Sequence, residues 1–80
     1  MTETLDLAYL RTLLAVVDEG SFSRAATQVH RTQSAVSMQI KRLEDSVGKN
    51  LFERVGRRSE LTREGTALTD YARRILLLHD

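Results

Sequence analysis

Cysteine, proline and tryptophan are absent from the 80 residues, and aromatic side chains make up only 5%. Without cysteine there is no disulfide framework, no thiolate zinc site and no Cys nucleophile. No apolar run approaches the roughly 18 residues of a membrane span. The start Met1-Thr2-Glu3-Thr4 is acidic where a secretory signal begins basic, so a cytoplasmic protein with no membrane partner is expected. Repeats and low-complexity segments are missing too. Histidine occurs only as His30 and His79, with no carboxylate cluster or Gly-rich phosphate loop around either, which argues against an enzyme. One small domain of this length buries only about 60% of the surface that its unfolded chain exposes. Its core is therefore thin, and a partner subunit is a natural cover for the remaining apolar surface.

Charge is nearly balanced, at a formal +1, but it is unevenly spread. Residues 1–20 hold Glu3, Asp6, Asp18 and Glu19 against Arg11 alone, which leaves the rest of the chain with a cationic excess. Arg31, Lys41, Arg42, Lys49, Arg54, Arg57, Arg58 and Arg63 carry it, interrupted by Glu44, Asp45, Glu53 and Glu60. Such a bias suits a polyanion, although charge alone fits a solvated surface better.

Hydrophobic periodicity predicts four helices. From Leu5 to Val17, the residues Leu7, Leu10, Leu14 and Val17 form one stripe of an amphipathic helix that stops at Asp18-Glu19-Gly20. Ser21 or Ser23 can cap a short second helix with Phe22, Ala25, Ala26 and Val29 on its apolar side. After a connection at His30-Arg31, Thr32 can cap a third helix whose buried residues are expected to be Val36, Ile40, Leu43 and Val47. These four fall within about 60° of one another on a helical wheel. Beyond Gly48, Asn50 to Val55 and Glu60-Leu61-Thr62 read as two short extended segments around the basic turn Gly56-Arg57-Arg58-Ser59. Thr62 then caps a fourth helix, with Glu64 in its first turn, that runs to the end of the chain. That helix becomes apolar nearly all round at Ile75 to Leu78, and Leu77 lies opposite Leu68. A dimer interface, a continuation of the chain, or both would cover it.

The outward side of the third helix carries the most informative residues. Opposite its apolar stripe stand Ser34, Ser37, Met38 and Lys41, flanked by Gln33 and Arg42, with no carboxylate in the N-terminal half. A helix entering the DNA major groove meets base edges near its N-terminal end and phosphates along its sides. Gln pairs with adenine, Ser donates or accepts, and Lys and Arg reach guanine or phosphate. Ala25 and Ala26 are small enough for close crossing, and Val36 stands where it can pack back on Ala26, as a helix-turn-helix requires. By spacing alone, a plain three-helix core fits as well.

The run from Leu10 to Val17, then Gly20-Ser21-Phe22-Ser23-Arg24-Ala25-Ala26, Gln33-Ser34-Ala35-Val36-Ser37, Gln39-Ile40, Arg42-Leu43-Glu44, Gly48, Leu51-Phe52-Glu53-Arg54 and Leu61-Thr62-Arg63-Glu64-Gly65 stand in order. In these stretches the chain resembles the N-terminal DNA-binding region of the LysR-type transcriptional regulators. The resemblance runs from about Leu5 to the end. It implies a mainly α fold: a winged helix-turn-helix with a two-strand wing over residues 1–61, and a long linker helix over 62–80 that pairs two subunits. It implies Gln33, Ser34 and Ser37 as base readers, with Met38 and Lys41 at neighbouring contact positions. Ser21, Ser23, Arg31, Thr32 and Arg42 become the candidate phosphate contacts, and Arg54, Arg57 and Arg58 belong to the wing. Of these, Arg57 is expected in the minor groove, since narrow A·T-rich grooves attract arginine. Leu68, Tyr71, Ala72, Ile75 and Leu76 are the expected dimerisation residues.

Two positions depart from the family pattern. Arg31 stands where an apolar residue is common, and Met38 where Arg or Gln is common. Met38 makes no directed hydrogen bond to a base but can touch a thymine methyl. The expected partners are double-stranded DNA, read as a pseudo-palindrome with half-sites about 10 bp apart, and a second copy of the chain, with a tetramer as the alternative for the full-length protein. No cofactor is expected. A small-molecule effector belongs to a further, effector-binding domain that the family carries after the linker helix and that is absent here. The competing reading is a winged-helix protein-interaction module. Lys41, Arg42 and Arg57 speak against it, because such a module has no use for cations on the outward helix and the basic turn together.

Overall fold

The computed structural model describes residues 6–79. In chain order the elements are α1 (Leu7–Glu19), α2 (Phe22–Gln28), α3 (Gln33–Val47), β1 (Phe52–Val55), β2 (Arg58–Leu61) and α4 (Arg63–His79). The expectations that rested on Met1 to Leu5 and on Asp80 lie outside the described residues.

Each helix begins at a side chain suited to the task. Asp6 accepts from Ala8 N at 2.8 Å, Ser21 from Arg24 N at 3.1 Å, Thr32 from Ala35 N at 3.0 Å and Thr62 from Gly65 N at 2.9 Å. Each bond satisfies one of the N–H groups that a helix start leaves without a partner. Of the two candidate caps for the second helix, Ser21 takes the role and Ser23 is left exposed on the first turn. α1 and α3 both end at glycines with positive φ, Gly20 at 71° and Gly48 at 72°. At the end of α2 a non-glycine makes the same turn: His30 has φ 59°, a conformation that strains a side chain bearing Cβ.

α1 is the centre of the packing and touches α2, α3 and α4. Being covered on several sides, it buries Leu10, Leu13 and Val16 most deeply, while Leu7, Leu14 and Val17 are only half-buried at the margins. The sequence stripe was thus centred on the wrong side of Leu10. On α3, Val36, Ile40 and Leu43 are buried as expected, but Val47 is exposed. It lies in the last turn, where every residue from Asp45 to Asn50 is exposed. In its place Gln39 joins the buried set.

β1 and β2 pair antiparallel, with Phe52 opposite Leu61 and Val55 opposite Arg58. The two-residue connection has Gly56 at φ 65° followed by Arg57, as a type II′ hairpin turn requires. The hairpin is moored at its base. Leu51, fully buried, donates its N–H to Glu44 Oε2 at 2.8 Å and accepts at its carbonyl from Thr62 N at 2.9 Å. Phe22 and Phe52 add an edge-to-face contact at 5.4 Å between the start of α2 and β1. The architecture is a helix-turn-helix followed by a two-stranded wing and a long helix. α4 returns to α1 through Leu68, Ala72 and Leu76, so one buried cluster holds the whole described chain. Among the described residues no helix is long and apolar enough to cross a membrane.

Candidate nucleic-acid interface

α3 places its polar residues by simple helix geometry. Val36, Ile40 and Leu43 face the core, which turns Ser34, Ser37, Met38 and Lys41 to the opposite side, all exposed. Arg42 is exposed on one flank and Gln33, the first residue of the helix, on the other. The short side chains at 34 and 37 leave the first turns of the helix surface low. Met38 is the single large apolar residue in this polar surround.

Gln33 does not stand alone. An open groove of about 650 Å³ runs between the start of α2 and the wing, and its lining includes Gln33, Ser21, Ser23, Arg54, Arg57 and Arg58. The fold thus gathers onto one groove residues as far apart as 21 and 58. Ser34, Ser37, Met38 and Arg42 do not line the groove, and neither do Arg31 and Thr32. The first four continue along the exposed side of α3, and the last two precede its first turn. Lys41 borders a second hollow with Lys49 and Asn50.

The charged groups differ in how they are occupied. Lys41 Nζ lies 3.7 Å from Asp45 Oδ1 one turn along, and Arg58 bonds Glu60 Oε2 at 3.1 Å. Both pairs are well exposed, so each holds its cation weakly. Arg31, Arg42, Arg54 and Arg57 form no ion pair with any described residue and present full charge to an anion. Ser21 and Thr32 use their hydroxyl oxygens as cap acceptors. Each hydroxyl proton remains available for donation to a phosphate oxygen. A closer ion pair, with two contacts, lies elsewhere. Arg73 of α4 grips both carboxylate oxygens of Asp18 on α1, at 2.6 and 3.4 Å. The Arg73 hydrogen bond holds the Asp18 carboxyl below the ordinary carboxylate range, and slight burial opposes it.

The expected dimerisation residues divide. Leu68, Ala72 and Leu76 are buried in the chain's own core and are not free to line a seam, because α4 must cover α1. Ile75 is half-buried against the same cluster. Tyr71 is exposed, as are Leu77 at 80% and Leu78 at 87%, so the uncovered apolar surface of α4 lies on its other sides. Among the described residues there is no group of three or more His, Cys, Asp or Glu able to hold a metal ion.

Four supporting residues escaped the sequence reading. Glu44 read as an interruption in a basic stretch, yet its carboxylate anchors the wing. Thr12 and Gln39 entered only as members of the family-like stretches, yet they are 3% and 6% exposed and bond each other. Gly65 read as part of a motif, and its reason is spatial: a Cβ there would lie 2.1 Å from Leu51 O. A glycine in the first turn of a helix was the available signal, since close approach of another backbone is one reason for it.

Comparison with known proteins gives a consistent picture. Residues 7–66 match the model of a family described as bacterial regulatory helix-turn-helix protein, lysR family. The chain is similar to the HTH-type transcriptional regulator PecT of Dickeya dadantii (strain 3937), at 53% identity over 76 residues, covering 95% of this chain and 24% of that protein. It is also similar to the HTH-type transcriptional regulator DgdR of Burkholderia cepacia, at 47% identity over 77 residues, covering 96% of this chain and 26% of that protein. The chain therefore spans about a quarter of the length of these curated relatives. Among solved structures, it resembles the BenM DNA-binding domain in complex with catB site 1 DNA, with a TM-score of 0.87 and 39% identity over 94% of this chain and 84% of that one. A complex of the CbnR DNA-binding domain with DNA is similar as well, with a TM-score of 0.85 and 36% identity over 92% of this chain and 85% of that one.

Proposed function

The chain belongs to the bacterial lysR family of regulatory helix-turn-helix proteins, and from that premise we propose that it is the sequence-specific DNA-reading part of a transcriptional regulator. Residues 1–61 form the winged helix-turn-helix and 62–80 the linker helix. α3 enters the major groove with Gln33, Ser34 and Ser37 at base edges and Met38 and Lys41 beside them. The observation that carries this reading is the shared groove, where Gln33 at the start of α3 faces Arg54, Arg57 and Arg58 of the wing. Major-groove reading and minor-groove insertion then occur in one docking event.

The chemistry of each contact follows from its atoms. The Gln33 amide offers one acceptor and two donors, the set that matches adenine N6 and N7. Ser21, Ser23, Thr32, Arg31 and Arg42 contact phosphates and set the register without reading sequence. Arg57, at the tip of the wing, enters the minor groove, where a narrow A·T-rich segment concentrates negative potential. Arg58 and Lys41 exchange their weak surface carboxylate partners for phosphate or base. One protomer covers one half-site, and a pseudo-palindromic operator takes two, with centres one DNA turn of roughly 34–36 Å apart.

The pairing seam uses the uncovered sides of α4, with Tyr71, Leu77 and Leu78 at its centre and Ile75 at its edge. The full-length protein is a dimer or a tetramer of such pairs. It is cytoplasmic and nucleoid-associated, without a cofactor in this part and without catalysis. Its small-molecule effector binds a further domain, as in full-length regulators of this type. Selection of bound duplexes from a random-sequence library tests the proposal. A dyad with half-sites about one helical turn apart is the expected product, and no enrichment even after artificial dimerisation of the chain would overturn sequence reading.

A further inference from the structure

Among the described residues three polar side chains are buried, Thr12, Gln39 and Thr69. Thr69 returns its hydroxyl to its own helix, donating to Gly65 O at 2.8 Å. Thr12 Oγ1 also reaches its own helix, at 3.1 Å from Ala8 O. Its shorter bond crosses to another helix: Thr12 Oγ1 donates to Gln39 Oε1 at 2.5 Å. This is a directed bond between α1 and the helix that displays Ser34, Ser37, Met38 and Lys41. It sits among apolar contacts that have no direction of their own.

We propose that the buried Thr12–Gln39 bond is a positioning device that sets the rotation of α3 about its axis and so sharpens DNA sequence discrimination. The inference rests on the reading of α3 as the base-contacting helix. Its physical basis is leverage. Side-chain tips lie about 5–6 Å from a helix axis, so a rotation of about 10° displaces them by about 1 Å. The apolar face made by Val36, Ile40 and Leu43 tolerates such a rotation with little loss, since hydrophobic burial is non-directional. A hydrogen bond to a base does not, because its donor–acceptor distance must stay within roughly 2.7–3.2 Å. A Gln–Thr pair adds little net stability over apolar residues of similar shape. What it adds is one permitted orientation, as buried polar residues do where register must be unique.

The test uses Thr12→Val, Gln39→Met, the double variant T12V/Q39M and the conservative Thr12→Ser. Two quantities are read for each: the denaturation midpoint, and the ratio of dissociation constants for a scrambled duplex and for the duplex that the wild type enriches. Thr12→Val alone strands the Gln39 amide and lowers the midpoint. The double variant regains the midpoint, yet its discrimination ratio stays reduced by about fivefold, the weakening of one base contact. Binding to scrambled DNA stays unchanged, and Thr12→Ser, which keeps the hydroxyl, retains the wild-type ratio. A double variant as discriminating as the wild type would overturn the proposal and make the pair a packing feature only. Failure of the wild type itself to prefer any duplex would instead remove the premise that α3 reads bases, and the proposal would fall with it.

Discussion

Replacing Gly65 by alanine sets two opposing effects against each other, and the structure decides which wins. In an open helix position alanine is favoured over glycine by up to about 1 kcal/mol. Here the new Cβ would stand 2.1 Å from Leu51 O and 2.8 Å from Leu61 Cδ2. An ordinary carbon–oxygen contact is about 3.3 Å, so the carbonyl must retreat by about 1 Å. It has nowhere to go. Leu51 is fully buried, its carbonyl holds Thr62 N at 2.9 Å, and its own N–H is held by Glu44 at 2.8 Å. Overpacking of this kind costs about 1–3 kcal/mol, and weakening the Leu51–Thr62 bond adds about 0.5–1.5 kcal/mol. After the helix-propensity gain the net loss is about 0.5–3.5 kcal/mol, at about 4–8 °C in Tm per kcal/mol for a domain of this size. Gly56→Ala is the control. It meets nothing within 4 Å but sits at φ +65°, so only the backbone strain of about 1–2 kcal/mol applies. A thermal melt followed by circular dichroism compares them. If Gly65→Ala melts with the wild type, the Leu51 carbonyl yields freely and the mooring of the wing is not rigid. Equal losses at both positions would mean that close approach contributes nothing beyond conformation.

Gln33→Ala should weaken binding to the selected duplex by about 1–3 kcal/mol while leaving scrambled DNA almost unaffected; equal losses on both, read by fluorescence anisotropy, would make Gln33 a backbone contact. Arg57→Ala should lose most affinity on duplexes with A·T-rich flanks, and indifference to the flank would reduce it to a phosphate contact. Leu78→Asp, at a site 87% exposed, should shift sedimentation towards the monomer without lowering Tm, whereas an intact dimer would move the seam off α4. Asp18 has a lowered pKa in the folded chain through its Arg73 hydrogen bond. The stability from this pair is therefore fully present above the unfolded carboxylate value and is lost as pH falls through the folded one. Because both groups are mostly exposed, the effect is only about 0.2–1 kcal/mol, and Arg73→Ala should flatten the acid limb of stability by that amount; an unchanged limb would leave the pair without weight.

Helix positions were legible because their signals are local. Ser21, Thr32 and Thr62 cap, and Gly20 and Gly48 terminate, through bonds to neighbours a few residues away. The outward set on α3 was legible for the same reason, as the complement of an apolar stripe. What was not legible depends on where a second element lies. Leu13 proved central to α1, and Leu14 marginal, because α2, α3 and α4 surround that helix from several directions. Val47 carries the right periodicity, but α3 outruns its neighbours before reaching it. Leu68, Ala72 and Leu76 were apolar in the right place, yet no sequence rule says whether an apolar face meets its own chain or another. The groove could not be read at all, since it exists only once the hairpin turns back towards α2.

That return depends on very few atoms, and its consequence is that the two parts of the interface are not independent. Glu44 lies on α3, the helix that carries the outward polar set, and its carboxylate accepts from Leu51 N at 2.8 Å and Phe52 N at 3.5 Å. Thr62 accepts from Gly65 N on α4 while donating to Asn50 O at 2.6 Å and, through its own N–H, to Leu51 O. Both strands of the wing are thus tied at their base, one to α3 and the other to the start of α4. The tip, with Gly56 and Arg57, remains exposed and is held only by its partner strand. Any displacement of α4 at Thr62 would act on Leu51 and, through Glu44, on α3. The base of the wing is therefore bonded to both helices.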